Sequence, residues 1–278
     1  MRIDSHQHFW HYSPSDHDWI TDDMEVLKRD FLPPDLKEQL NQQNFDGCVA
    51  VQASSTEQET EFLLNLAAQY DFVRGVVGWV DLQDERLEER LTYYTAYPKL
   101  VGVRHVVQSE PDEHFILRPA FLRGVQLLPQ FNLTYDLLIY EHQLPVALEF
   151  VSRLPQVRLV VDHVAKPKIA QRELAPWKEY LKALAGYPNV YCKLSGMVTE
   201  ADWQQWQYAD LIPYLDVVTE TFGPGRLMFG SDWPVCLLAA SYQQVVEVID
   251  RYFASFSPTE KAGIYGQNAA NFYQLDKN

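Results

Sequence analysis

Arg2-Ile3-Asp4-Ser5-His6-Gln7-His8-Phe9 decides the fold. The stretch is short and strand-like, and it begins almost at the amino terminus. It carries no glycine-rich phosphate loop, so the commonest signature of a doubly wound open sheet is missing. Seven further short runs rich in Val and Ile follow it, at residues 46–53, 73–81, 100–108, 132–139, 157–164, 189–196 and 226–233. Longer segments of helical period separate most of them. In residues 57–69, Phe62, Leu63, Leu66 and Ala67 mark one face; in residues 242–253, Val245, Val246, Ile249 and Phe253 do the same. Val157-Arg158-Leu159-Val160-Val161 is nearly continuous apolar sequence, as expected when both faces of a parallel sheet are covered. Eight strands alternating with helices predict a closed (β/α)8 TIM barrel, a single domain over residues 1–278.

Working outward, residues 9–34 are rich in His, Trp and Asp without a clear period, which predicts a long first βα loop over the catalytic face. The formal net charge is −15. Such a surface repels nucleic acid and anionic membranes, whose binding needs Lys and Arg to neutralise phosphate. No stretch reaches the roughly 18–20 apolar residues of a membrane span. Cys48, Cys192 and Cys236 lie in or beside apolar runs without Cys-x-x-Cys spacing, which predicts reduced thiols. With a polar amino terminus lacking a leader core, the expectation is a cytoplasmic protein. A homo-oligomer is compatible with all of this.

In a TIM barrel the reacting groups sit at the carboxyl ends of the strands, and here those ends are polar. His6 and His8, two apart on a strand, put both imidazoles on one face, where they can share a metal ion; alone, they also fit a surface hairpin. His163 follows Asp162 at the sixth strand end, and Asp232 lies in Gly230-Ser231-Asp232-Trp233-Pro234 at the eighth. An unpaired carboxylate after Leu227-Met228-Phe229 would be costly to bury, so Asp232 is paired, hydrated or at work on a ligand; capping the next helix is the structural alternative. Three imidazoles and one carboxylate suit an open catalytic zinc site, with His163 alternatively a hydrogen-bonded core histidine. Arg104, Lys166 and Lys193 are strand-end cations that either bind substrate or an oxyanion, or pair internally with Asp136, Asp162 or Asp4. Strict alternation sends only one of Arg104 and His105 inward, and Arg104 is the choice. Trp79, Trp233 and Tyr135 either line a pocket or pack in the core. His11, His17, His114 and His142 read mostly as surface residues.

His6-x-His8, Asp162-His163 with Lys166-Pro167, and Gly230-Ser231-Asp232-Trp233-Pro234 resemble the amidohydrolase superfamily, specifically its Amidohydrolase-2 branch of metal-dependent TIM-barrel hydrolases. The resemblance continues through Cys192-Lys193-Leu194-Ser195-Gly196-Met197, residues 222–229 and Asn268-Ala269-Ala270, and so covers essentially the whole chain. Within the branch, the sequence is most similar to lactonases of L-fuconolactone, L-rhamnonolactone or similar aldonolactones. Many superfamily members carry a metal-binding His on strand five and a bridging Lys or Glu on strand four. Here those strands offer Asp136 and Arg104, which implies one metal ion rather than two.

The resemblance implies hydrolysis of a sugar-acid lactone. One divalent ion, zinc, would be held by His6, His8 and Asp232 with His163, and would acidify a water. Asp232 would take the water proton and return it to the leaving alkoxide, His163 would ligate the ion or polarise the carbonyl, and Arg104 or Lys193 would steady the oxyanion. Trp79, Lys166, Lys193 and Trp233 are the candidate substrate contacts. Two relatives of this chemistry stay open: a metal-independent lactonase of a carboxylated lactone, and a non-hydrolytic decarboxylase. The decarboxylase needs a carboxylate-binding cation and no attacking water; the metal-independent lactonase uses the histidines and arginines directly.

Overall fold

Each apolar run becomes a strand in the computed structural model, which describes residues 1–275. The strands are β1 (Ile3–Gln7), β2 (Gly47–Val51), β3 (Val73–Gly78), β4 (Leu100–Val106), β5 (Thr134–Leu138), β6 (Leu159–Val161), β7 (Val190–Leu194) and β8 (Leu227–Phe229). They lie in sequence order and every neighbouring pair is parallel. The ring closes where Asp232 N donates to the His6 carbonyl at 2.8 Å and His8 N to the Trp233 carbonyl at 2.7 Å. The result is the (β/α)8 TIM barrel expected from the eight runs.

Helices α1 (Pro33–Gln42), α2 (Glu57–Gln69), α3 (Leu87–Tyr94), α4 (Pro119–Leu127), α5 (Leu144–Ser152), α6 (Trp177–Ala185), α7 (Tyr208–Phe222) and α8 (Tyr242–Tyr252) cover the outside. Short helices α9 (Pro258–Ala262) and α10 (Asn268–Tyr273) follow. Local chemistry sets their starts: the Thr56 hydroxyl accepts from Glu59 N before α2, and Ser241 forms a capping box with Gln244 before α8. Val245, Val246, Ile249 and Phe253 are buried as their period predicts. On α2 the buried face is Thr60, Leu63, Leu64 and Ala67, with Phe62 and Leu66 only half-buried. Thr60 is drawn inward because its hydroxyl donates to the Trp79 carbonyl at 2.7 Å.

Two apolar layers hold the barrel. The larger fills the space between strands and helices. The smaller lies inside, where Ile3, Val49, Val51, Val77, Val101, Val160 and Met228 meet Ala269, Ala270, Phe272 and Tyr273 of α10. Each of the Val, Ile, Met and Phe side chains contributes about 1.5–3 kcal/mol by leaving water. The C-terminal helix thereby closes the amino-terminal end of the barrel and leaves the carboxyl end to polar residues.

A β-bulge matters for those residues. Asp4 pairs with Cys48 and Gln7 with Ala50, so three steps along β1 match two along β2. The extra residue reverses the alternation. Ile3 packs inside the barrel and Asp4 faces α8, where its carboxylate accepts from the Tyr242 hydroxyl at 3.1 Å. Beyond the bulge, His6 faces inward in its turn.

The first βα segment holds a 3-10 turn at Asp22–Leu27 and an antiparallel bridge between Trp10 and Phe31. Trp10 lies 6.5 Å, centroid to centroid, from His8, so the segment does reach the catalytic face. His17 departs from its surface reading: it is buried and packs 5.5 Å from the Trp10 ring, because the segment folds back on itself rather than extending into solvent.

Candidate active site

His8 lies just past the end of β1. Its Nδ1 sits 2.8 Å from the Val51 carbonyl of β2, which can only accept, so Nδ1 carries the proton and Nε2 presents a lone pair. The His6 Nδ1 faces Asp162 Oδ1 at 3.3 Å, and Arg104 Nη1, which can only donate, reaches the His6 Nε2 at 3.3 Å, so that nitrogen presents a lone pair too. The two Nε2 atoms are 3.2 Å apart, and His8 Nε2 is 3.3 Å from Asp232 Oδ1. Asp232 Oδ1 is also 3.9 Å from the Nε2 atoms of His6 and His163. His163 is set by the Ser195 hydroxyl, 2.9 Å from its Nδ1. The structure therefore brings His6, His8, His163 and Asp232 together at the carboxyl end of the barrel.

Burial holds His6 and His163 well below the usual imidazole range, so both are neutral at pH 7. At Asp232 burial works to raise the carboxyl, but the neighbouring His163 and His8 imidazoles outweigh it, and the group stays below the usual carboxylate range. The donor set is thus neutral imidazole nitrogens and an anionic oxygen, meeting lone pair to lone pair. Such a convergence calls for a cation.

His6, His8 and Asp232 fit a metal ion by geometry as well. Ligands about 2.0–2.1 Å from a tetrahedral zinc sit about 3.3 Å from one another, close to two of the three separations here. A second trio, His6, Asp162 and His163, also brings its donor atoms within 4.8 Å. Its carboxylate is already neutralised: Asp162 Oδ1 is 3.0 Å from Lys193 Nζ, and Oδ2 is 3.0 Å from Arg104 Nη1. The His6-His8-Asp232 group is the better fit.

Beneath the site lies a layer of buried charge. Lys193 Nζ contacts Asp136 Oδ2 at 2.5 Å, Asp162 Oδ1 at 3.0 Å and His6 Nδ1 at 3.1 Å, and none of these side chains is exposed. The Tyr273 hydroxyl of α10 donates to Asp136 from below at 2.7 Å. Lys193 therefore follows its internal-pairing alternative. A carboxylate on either side and the His6 ring enclose it. Arg104 faces inward as alternation required. Its Nη2 is fastened to the Gln52 carbonyl, while Nη1 reaches His6 Nε2 at 3.3 Å. It is the cation on the floor of the site.

The remaining candidates scatter. Trp233 is buried against Phe9 and Phe31, with ring centroids 6.4 and 5.2 Å away. Tyr135 packs outward on Phe121 and Phe150 beneath the helices. Trp79 donates to His105 Nδ1 at 3.2 Å, and His105 stacks on Phe115 and binds Glu110, so this chain braces the β4 loop away from the four central residues. Lys166 stands at the rim, 3.3 Å from Glu200 Oε1. Sequence reasoning passed over Glu200, Gln52 and Tyr140, since nothing in a βα loop of unmarked period announces which side chain turns inward.

A family model described as Amidohydrolase matches residues 3–275. The chain is 43% identical to an L-fucono-1,5-lactonase of Burkholderia multivorans, over 99% of this chain and 96% of that one. It is 35% identical to an L-fucono-1,5-lactonase of Burkholderia ambifaria, over 100% and 97% of the two chains. A crystal structure of a Burkholderia multivorans amidohydrolase with bound zinc superposes with a TM-score of 0.96 at 44% identity, over 99% of both chains. With a family model matched over residues 3–275 and relatives 43% and 35% identical along nearly the whole chain, the chain belongs to the amidohydrolase family, in the branch its sequence resembles.

Proposed function

We propose that the protein hydrolyses a sugar-acid lactone to the open aldonic acid, with L-fuconolactone and L-rhamnonolactone the first aldonolactones to test. The observation that carries this reading is the convergence of three imidazole Nε2 atoms and Asp232 at the barrel mouth, in a chain 43% identical to a lactonase. The two alternatives need a cation free to hold a carboxylate. Arg104, Lys193 and Lys166 are each engaged by Asp162, Asp136 or Glu200, so a neutral lactone is the better match. The buried thiols of Cys48, Cys192 and Cys236 support a reducing, cytoplasmic setting for this single-domain barrel.

A divalent ion, zinc in this reading, would be held by His6, His8 and Asp232 and would acidify a water and polarise the ester carbonyl. Asp232, anionic at neutral pH, accepts the proton of the attacking water as its oxygen bonds to the carbonyl carbon. His163, neutral and fixed at Nδ1 by the Ser195 hydroxyl, either ligates the ion through an Nε2 lone pair or, with the proton on Nε2, donates to the carbonyl oxygen. Arg104 Nη1, although paired with Asp162, lies 3.3 Å from His6 Nε2, and its N–H dipole rather than a free charge would steady the tetrahedral oxyanion. The ring C–O bond then breaks, and the proton held by Asp232 passes to the ring oxygen as it leaves. The aldonic acid ionises and releases one proton to solvent.

A pH-indicator assay over a panel of aldonolactones tests this, with chelator-stripped and zinc-reconstituted protein side by side. Hydrolysis is expected, falling about 100- to 10,000-fold in Asp232→Asn. Competition with a chromophoric chelator should show weaker zinc binding in His6→Asn. Failure to open any lactone would remove the lactonase reading, and equal rates with and without zinc would move the chemistry to the side chains alone.

A further inference from the structure

Three successive βα loops meet on the His163 side of the mouth. Tyr140 comes from the loop after β5, Lys166 from the loop after β6, and Glu200 from the loop after β7. Lys166 Nζ lies 3.3 Å from Glu200 Oε1 and 5.4 Å from the centroid of the Tyr140 ring. Lys166 and Glu200 are about four-fifths buried, with side-chain exposures of 18% and 21%, so they form a wall rather than a solvated surface pair. Their place beside the reacting groups is fixed twice. Lys166 N donates to the His163 carbonyl at 2.8 Å, and Glu200 lies four residues past Gly196, which packs directly against the His163 ring. The Lys166 charge is felt at both His163 and Asp232, and that of Asp232 at Glu200.

We propose that Tyr140, Lys166 and Glu200 form the subsite for the hydroxylated face of the lactone ring, and that Glu200 selects a neutral polyhydroxylated lactone over one bearing a carboxylate. The proposal rests on the lactonase reading and narrows its substrate class. An aromatic face suits the C–H side of a sugar ring. A carboxylate accepts from ring hydroxyls in charge-assisted bonds, and a lysine donates to their oxygens. With its ammonium committed to Glu200, Lys166 leaves no net positive charge for an anionic substituent. The carboxylate side of the pair repels one.

The test compares kcat/KM on an aldonolactone, on δ-valerolactone, which has no hydroxyls, and on an aldarolactone, which carries a free carboxylate. In Glu200→Gln the preference for the aldonolactone over δ-valerolactone should fall about 10- to 100-fold, the size expected for losing hydrogen bonds to a charged acceptor. The aldarolactone should gain relative to the aldonolactone. Lys166→Met, which leaves Glu200 uncompensated, should disfavour the aldarolactone further. Circular dichroism checks that both variants fold. An unchanged preference in folded Glu200→Gln overturns the proposal, as does a loss of equal size on all three substrates, which marks a structural brace. If the wild type opens no lactone, the lactonase reading fails by itself. The subsite is then judged by saturation-transfer NMR with a neutral methyl pyranoside: binding lost in Glu200→Gln supports it, and equal binding in both proteins overturns it.

Discussion

Glu59 shows how single residues are tuned around this site. Its carboxylate accepts from Ala53 N at 2.8 Å and braces the loop after β2, yet burial pushes its pKa up to about 7. A raised carboxyl pKa favours the protonated form in the folded state. The penalty on folding is absent below the ordinary value near 4.5, grows as pH rises, and is complete above about 7. Glu59→Gln removes the charge and keeps one acceptor. Its stability relative to wild type should therefore rise between pH 5 and pH 8 by about 1–3 kcal/mol. Urea unfolding at the two pH values measures this, and a difference that is flat with pH would contradict it. Other residues yield to sequence logic to different degrees. Arg104 was legible because neighbours on a strand cannot both face inward. Lys193 was not, since a cation at a strand end looks the same whether its partner is a substrate or Asp136. Only the packing of β5 against β6 and β7 decides between them.

At the scale of elements, the strands were legible because apolar runs of four to eight residues bounded by polar ends have few other solutions. The bulge in β1 was not, because Asp4, Ser5, His6 and Gln7 are polar on both faces and an inserted residue leaves no break in an apolar alternation. The corner after β6 was equally hidden. His163, Val164, Ala165 and Lys166 all have positive φ, at 52°, 49°, 59° and 47°. For non-glycine residues this costs roughly 1–2 kcal/mol each, and a β-branched Val is least suited to it. The turn persists because Lys166 N closes on the His163 carbonyl and the Trp177 indole donates to the Val164 carbonyl at 2.8 Å. Its product is the aim of His163 toward Asp232. The neighbouring corner completes it: Gly196 has φ +66°, and a Cβ there would stand 2.6 Å from His163 Nδ1. Gly196→Ala should destabilise the fold by about 1–3 kcal/mol. It should also cut kcat by about 100-fold, since displacing a reacting group by about 1 Å has that effect. Gly225→Ala, where a Cβ meets nothing within 4 Å, should stay within about 0.5 kcal/mol of wild type. Thermal melts and rates on both variants separate the outcomes; wild-type rates in Gly196→Ala would show that the His163 corner does not aim the catalytic group.

At the scale of the molecule, the net charge of −15 surrounds a mouth where Arg104, Lys166 and Lys193 are each paired with a carboxylate. A neutral lactone feels no long-range force from such a field, whereas its hydrolysed product, an anion, is pushed away. The reaction therefore changes its substrate into something the protein repels, and turnover runs with the field rather than against it. Screening gives the measurement. Between about 0.01 M and about 1 M salt the Debye length falls from about 30 Å to about 3 Å. Across that range kcat/KM for a neutral aldonolactone should stay within about twofold, because no charge on it is screened. For an aldarolactone it should rise several-fold as the repulsion is lost. A fall with salt for either substrate would mean that a positive patch steers ligands in, and the paired state of Arg104, Lys166 and Lys193 would no longer describe the working enzyme.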